Sequence, residues 1–99
     1  MAYVDELAKA LRHEDPEVRV RVANALKELE SPRATIPLIE ALEDPCEEVR
    51  SAAALALSWV GDRRAVGPIY GALTDEDTQV RSAARFYLRE AFGINYPAT

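Results

Sequence analysis

Apolar residues recur along this chain at steps of three and four, the spacing that puts them on one face of an α-helix. The opening stretch shows it in Leu7, Ala10 and Leu11, then in Val18, Val22, Ala25, Leu26 and Leu29. No apolar–polar alternation of the kind a half-buried strand needs competes with it. Asp15-Pro16, Asp44-Pro45 and Asp75-Glu76-Asp77 interrupt the pattern, as do Ser31-Pro32, Gly61-Asp62 and Gly93. Asp followed by Pro suits an N-cap and first helical residue, because the carboxylate accepts from free amides and proline has no amide to leave unpaired. Glycine suits the left-handed residue that ends a helix. Together these signals predict helices at about 3–13, 16–30, 33–43, 47–60, 64–74 and 78–92.

The same pattern returns after 31 residues. Leu7 aligns with Leu38 and Ile69, Ala10 with Ala41 and Ala72, and Leu11 with Leu42 and Leu73. Val18-Arg19, Val49-Arg50 and Val80-Arg81 match, as do Val22, Ala53 and Ala84, and then Leu26, Leu57 and Leu88. Pro37 matches Pro68, and Ala34 matches Ala65. A fixed period of this length marks stacked repeats, and a two-helix unit has more apolar surface than it can bury alone. The prediction is an all-α solenoid of three helical hairpins in a single domain, residues 1–99, with repeats about 3–31, 32–62 and 63–93 and a C-terminal tail, 94–99. Between Val49 and Val60 only Arg50 is charged, as befits a helix covered on several sides in the middle of the stack. Arg85 and Tyr87 stand where the second unit has Ala54 and Ala56; larger, more polar groups suit an end unit, where they act as a cap. Ile94 is placed to fold back on the last turn, and the chain stops where a fourth unit would begin, which reads as a complete small protein.

Composition narrows the function. The chain is 48% hydrophobic and 29% charged, with no disordered tract, no apolar run of membrane-spanning length and no signal peptide at its start. A cytoplasmic location is expected, and the single cysteine, Cys46, agrees with a reducing compartment. A net charge of −5 disfavours nucleic acid, and most arginines have an acidic neighbour in sequence, so no basic stripe is expected.

The string Asp44…Val49-Arg50…Ala53-Ala54…Leu57, followed by Gly61 to Ile69, resembles the short HEAT-like repeats first associated with phycobilisome lyases. The resemblance covers about residues 3–93. It implies the solenoid fold and says little of function, since such repeats serve scaffolds, regulators and a few enzymes. It also implies a ladder of hydrogen bonds between units, made by the turn Asp and the helix Arg: Asp44 with Arg50, and Asp75 with Arg81. Arg19 belongs to the same series, but His13 stands where its Asp should be and Asp15 lies two residues on, so the first rung departs from the pattern.

Catalytic chemistry is not indicated. There is no Gly-rich phosphate loop, no paired cysteine and no nucleophile–base–acid set. The His-Glu pairs by which deoxyhypusine hydroxylase holds two irons on this scaffold have one counterpart, His13-Glu14, at a helix end, so no metal site and no cofactor are expected. Glu47 and Glu48 beside Cys46 oppose the thiolate a reactive cysteine needs. A bilin lyase would need a chromophore pocket that nothing identifies, and HEAT-like DNA glycosylases use a basic face this chain lacks.

What remains is a binding surface. In the family resembled, the second helix of each unit lines the concave face. Positions four apart on that side are Val20, Asn24 and Glu28, then Ser51, Leu55 and Trp59, then Ser82, Phe86 and Glu90. Leu55, Trp59 and Phe86 form the apolar middle, and a partner's Lys or Arg could meet Glu28 or Glu90. The expected function is a protein-binding adaptor or scaffold that holds a partner segment on this face. The alternative is an accessory subunit of a lyase-type or other enzyme complex. Self-association through Phe86, Tyr87 and Phe92 is a further expectation if the end cap is poor.

Overall fold

The computed structural model describes residues 2–94; residues 95–99, most of the expected tail, lie outside the described residues. Every regular element among them is helical. Helix α1 (Ala2–Lys9) runs into a 3₁₀ turn, Ala10–Arg12, and α2 spans Pro16–Leu29. A 3₁₀ turn, Pro32–Ala34, leads into α3 (Thr35–Ala41), and α4 covers Glu47–Val60. The last pair is a 3₁₀ turn, Arg63–Ala65, with α5 (Val66–Ala72), and then α6 (Thr78–Phe92). The predicted spans of α4 and α6 coincide with those observed. The shorter helices α3 and α5 each restart after their 3₁₀ turn so that Pro37 and Pro68 fall third in the α-helix. In a first turn the amide has no intrahelical partner, so proline costs nothing there.

The caps differ from the simplest reading of Asp-Pro. Asp15 does cap α2, accepting from the Glu17 amide, and Asp77 caps α6, accepting from Gln79 and Val80. Asp44 does not cap α4. That position belongs to Cys46, whose side chain makes no capping bond, while Asp44 Oδ1 takes the Cys46 amide at 2.9 Å. Asp75 does the same for Asp77 at 2.9 Å. In the first unit the Asp15 amide donates to His13 Nδ1 at 3.0 Å, so the histidine reproduces this local turn. At the C-terminal ends, Gly61 and Gly93 are left-handed as expected, but α2 ends on Glu30 with φ of 50°, a conformation that strains any residue with a side chain. Beyond α6 the Ile94 amide donates to the Leu88 carbonyl at 3.0 Å and its side chain packs on the core.

Helix α4 packs between α2 and α6, while α1, α3 and α5 lie behind α2, α4 and α6 respectively. The core is the shared interior of these two layers. Leu26, Leu57 and Leu88 are all fully buried, as are Ala34 with Ala65 and Leu38 with Ile69, so residues one period apart fill corresponding places. Tyr87 corrects an expectation. It is not an exposed cap but the largest fully buried side chain, lying 5.3 Å from the Phe92 ring. Its hydroxyl donates to the Asp62 carbonyl at 2.7 Å, which ties α6 to the turn before α5. Buried in this way, Tyr87 is also unavailable for self-association.

Burial, aided by the nearby Asp62 charge, pushes the Tyr87 phenol up to about 12. The folded state therefore holds this proton more tightly than the unfolded chain, and its contribution to stability is present below pH ~10 and lost as pH rises toward 12. Tyr87→Phe should cost about 1 kcal/mol at neutral pH through the lost hydrogen bond. Thermal melts at pH 7 and pH 11 check this: the gap between wild type and variant should narrow at the higher pH, and a constant gap would contradict it.

Candidate functional site

The arginines of the long helices form a ladder whose register differs from the one expected. Each turn aspartate offers its carboxylate to the arginine of the preceding unit. Arg19 Nε and Nη2 grip Asp44 at 2.8 and 3.0 Å, and Arg50 Nε and Nη2 grip Asp75 at 3.0 and 3.1 Å. The bond to the unit's own turn goes to backbone: Arg50 Nη1 donates to the Asp44 carbonyl at 2.8 Å, Arg81 Nη1 to the Asp75 carbonyl at 2.7 Å, and Arg19 Nη1 to the His13 carbonyl at 2.7 Å. The first unit thus has a full rung without an aspartate at position 13, because a carbonyl serves as well as any other residue's. One guanidinium fastens two things, the approach to its own helix and the edge of the next unit.

These rungs are desolvated but paired. Side-chain exposure is 12% and 8% for Arg19 and Asp44, and 12% and 15% for Arg50 and Asp75. Burial pushes the Asp75 carboxyl up, but the Asp77 amide and the Arg50 guanidinium outweigh it and hold the group below the usual carboxylate range. A second tie between units joins the buried Thr35 hydroxyl to Asp62 Oδ2 at 3.1 Å. The Arg64 side chain, then its amide, hold Asp62 far below its ordinary value.

Of the nine surface positions on α2, α4 and α6 none is fully buried, but Val20 packs against the core and the nine do not form one continuous grid. Ser51, Leu55, Ser82 and Phe86 line a groove of about 410 Å³ between α4 and α6, and Gln79, Arg85 and Arg89 line it with them. Trp59 stands outside that groove, 50% exposed, with Lys27 Nζ 5.4 Å from its ring centroid. Val20 lines a separate hollow that also takes in Cys46. Asn24, Glu28 and Glu90 are exposed, and Glu90 pairs with Arg89 at 3.2 Å.

Cations around the apolar middle were missed by sequence reasoning. Arg89 lies 5.6 Å over the Phe86 ring, and Lys27 covers Trp59. Arg81, Arg85 and Arg89 follow one another at four-residue steps on α6, so a basic stripe does exist. Its signal was present in the spacing; counting acidic neighbours along the sequence hid it, because adjacent residues on a helix point in different directions. Among the described residues no group of three or more His, Cys, Asp or Glu side chains could hold a metal ion, and no helix is long and apolar enough to cross a membrane.

Paired helices stacked side by side, with residues one period apart in corresponding places, define an α-solenoid of helical repeats. The family profile described as HEAT repeats matches residues 4–89, and the chain belongs to the HEAT-repeat family. HEAT repeats are commonly protein-interaction modules, and the fold is typically non-catalytic. A search of curated proteins found no match.

The ladder makes a contrast that stability measurements can read. Arg50→Ala strands a largely buried carboxylate and should destabilise by about 3 kcal/mol. Arg12→Ala breaks only the exposed pair with Glu40 and should cost no more than about 0.5 kcal/mol. Urea unfolding of both variants checks the difference, and equal midpoints would contradict the structural role of the rung.

Proposed function

We propose that this protein is a cytoplasmic adaptor or scaffold that binds a partner protein's segment on the face formed by α2, α4 and α6. An apolar side chain of the partner enters the groove between Leu55 and Phe86, and Trp59 supplies a second contact beside it. The observation that carries this reading is the exposure of apolar residues where the core gains nothing from them. Leu55 is 37% exposed and Trp59 50%, on a helix whose other apolar residues are buried or nearly so. The first unit has Asn24 and Glu28 at the matching positions, so nothing in the packing of the repeat demands leucine and tryptophan there. Aromatic and aliphatic anchors set within polar and charged neighbours are what binding hot spots are made of. Lys27 lies over the Trp59 ring and Arg89 over the Phe86 ring, and each cation shields part of that ring's apolar surface from water.

Selection of a displayed peptide library against the wild-type protein tests the reading, with Leu55→Ser/Phe86→Ala as the counter-screen. Selected peptides should share an apolar anchor, shield Trp59 from acrylamide when bound, and lose about tenfold or more in affinity for the double variant. Peptides that bind both proteins equally, or leave Trp59 fully quenchable, would overturn it.

A further inference from the structure

Helix α6 ends the stack of described helices with Arg81, Arg85 and Arg89 in one row. One period earlier the row reads Arg50, Ala54 and Ser58, and Ala54 is fully buried. In α6 the same row is half-buried or exposed.

Arg81 is held in the same way as the two arginines that already grip carboxylates. Its Nη1 donates to the carbonyl of its own turn at 2.7 Å, as Arg19 and Arg50 do at 2.7 and 2.8 Å. In those two, the remaining Nε–Nη2 edge closes on an aspartate. In Arg81 that edge meets no carboxylate among the described residues, and Nη2 touches only the Thr78 hydroxyl at 3.1 Å. Arg85 makes one contact there, to Ser82 Oγ at 3.3 Å. Among the described residues neither Arg81 nor Arg85 closes an ion pair, although the Asp75 charge lies near enough to act on Arg81, in a chain whose net charge is −5.

We propose that the Arg81–Arg85–Arg89 row binds an acidic helical segment of a partner protein, with Arg81 closing on an aspartate as Arg19 and Arg50 close on theirs. A planar fork matches a carboxylate through two parallel bonds. Acidic residues four apart on a partner helix would meet the three arginines in register. A long polyanion is disfavoured, because it would also have to lie against the acidic remainder of the molecule. A second copy of this chain is the wrong occupant as well. Stacked head to tail it would bring position 13 to Arg81, and His13 offers no carboxylate, its Nδ1 being occupied by the Asp15 amide. Arg85 and Arg89 of this row also line the Leu55–Phe86 groove, whereas Arg81 lies outside it.

The test is calorimetric titration with a synthetic alanine-rich helix carrying aspartates at four-residue steps. A peptide of identical composition with the aspartates scattered, and a thymidine oligonucleotide, serve as comparisons. The ordered helix should bind in a salt-sensitive manner, lose about tenfold or more with Arg85→Glu and with Arg81→Lys, and bind Arg12→Ala, altered in an exposed pair away from α6, unchanged. Should Arg85→Glu fail to fold in a thermal melt, Arg85→Ser supplies the same reading. Equal binding of the scattered peptide, tighter binding of the oligonucleotide, or indifference to the Arg85 substitution would overturn the proposal. So would sedimentation showing that the protein alone self-associates through this row. Loss of binding by Leu55→Ser with indifference to Arg81→Lys would assign the peptide to the groove instead.

Discussion

A single two-sided contact organises this molecule: an arginine near the start of α2 and of α4 that holds its own turn by a carbonyl and the next unit by a carboxylate. The apolar interior supplies most of the drive to stack, but packing of small and branched side chains tolerates slippage and substitution. A planar guanidinium does not. Arg50 satisfies the Asp44 carbonyl and the Asp75 carboxylate only when the third unit sits in one register against the second. Buried ion pairs are weak contributors to net stability compared with apolar replacements, and their best-attested service is to fix register. Here that service is performed twice, at Arg19 and Arg50, and each time the aspartate also shapes the turn that leads into the next long helix.

The surface follows from this division of labour. Rungs occupy the N-terminal ends of α2 and α4, and the core takes the faces turned toward the other layer and the neighbouring helix. One ridge of each long helix is left over, and there the central unit carries Leu55 and Trp59 while the first carries Asn24 and Glu28. Side chains at these positions are unconstrained by the stack, so a partner can be the reason for them. The third unit adds the arginine row, which exists because the positions of Ala54 and Ser58 are not covered in the same way on α6.

Much of the fold was legible because it depends on periodicity. A repeat that returns Leu26 as Leu57 and Leu88 shows helix phase, unit length and core together. Where the reading went astray, geometry depended on partners distant in sequence. The aspartate of a rung could not be assigned to its arginine from spacing, since Asp44 lies closer in sequence to Arg50 yet gives its carboxylate to Arg19. Tyr87 reads as polar by its hydroxyl; only the position of the Asp62 carbonyl shows that the hydroxyl is satisfied inside. The end of α2 near Glu30 was marked by Ser31-Pro32, but its left-handed backbone was not, because a glutamate carries none of glycine's sequence signal. The nine surface positions were found by helical phase, which is local, but their division between a groove, an exposed indole and a separate hollow depends on how neighbouring helices sit, which is not.

The register of the ladder can be read directly from the arginine Nε–H groups by solvent-exchange nuclear magnetic resonance. Those of Arg19 and Arg50, closed on Asp44 and Asp75, should exchange slowly, while that of Arg81, with no carboxylate on its edge, should exchange quickly. Protection at Arg50 and Arg81 with rapid exchange at Arg19 would mean that each arginine grips the aspartate of its own unit, and the coupling between units would need another explanation.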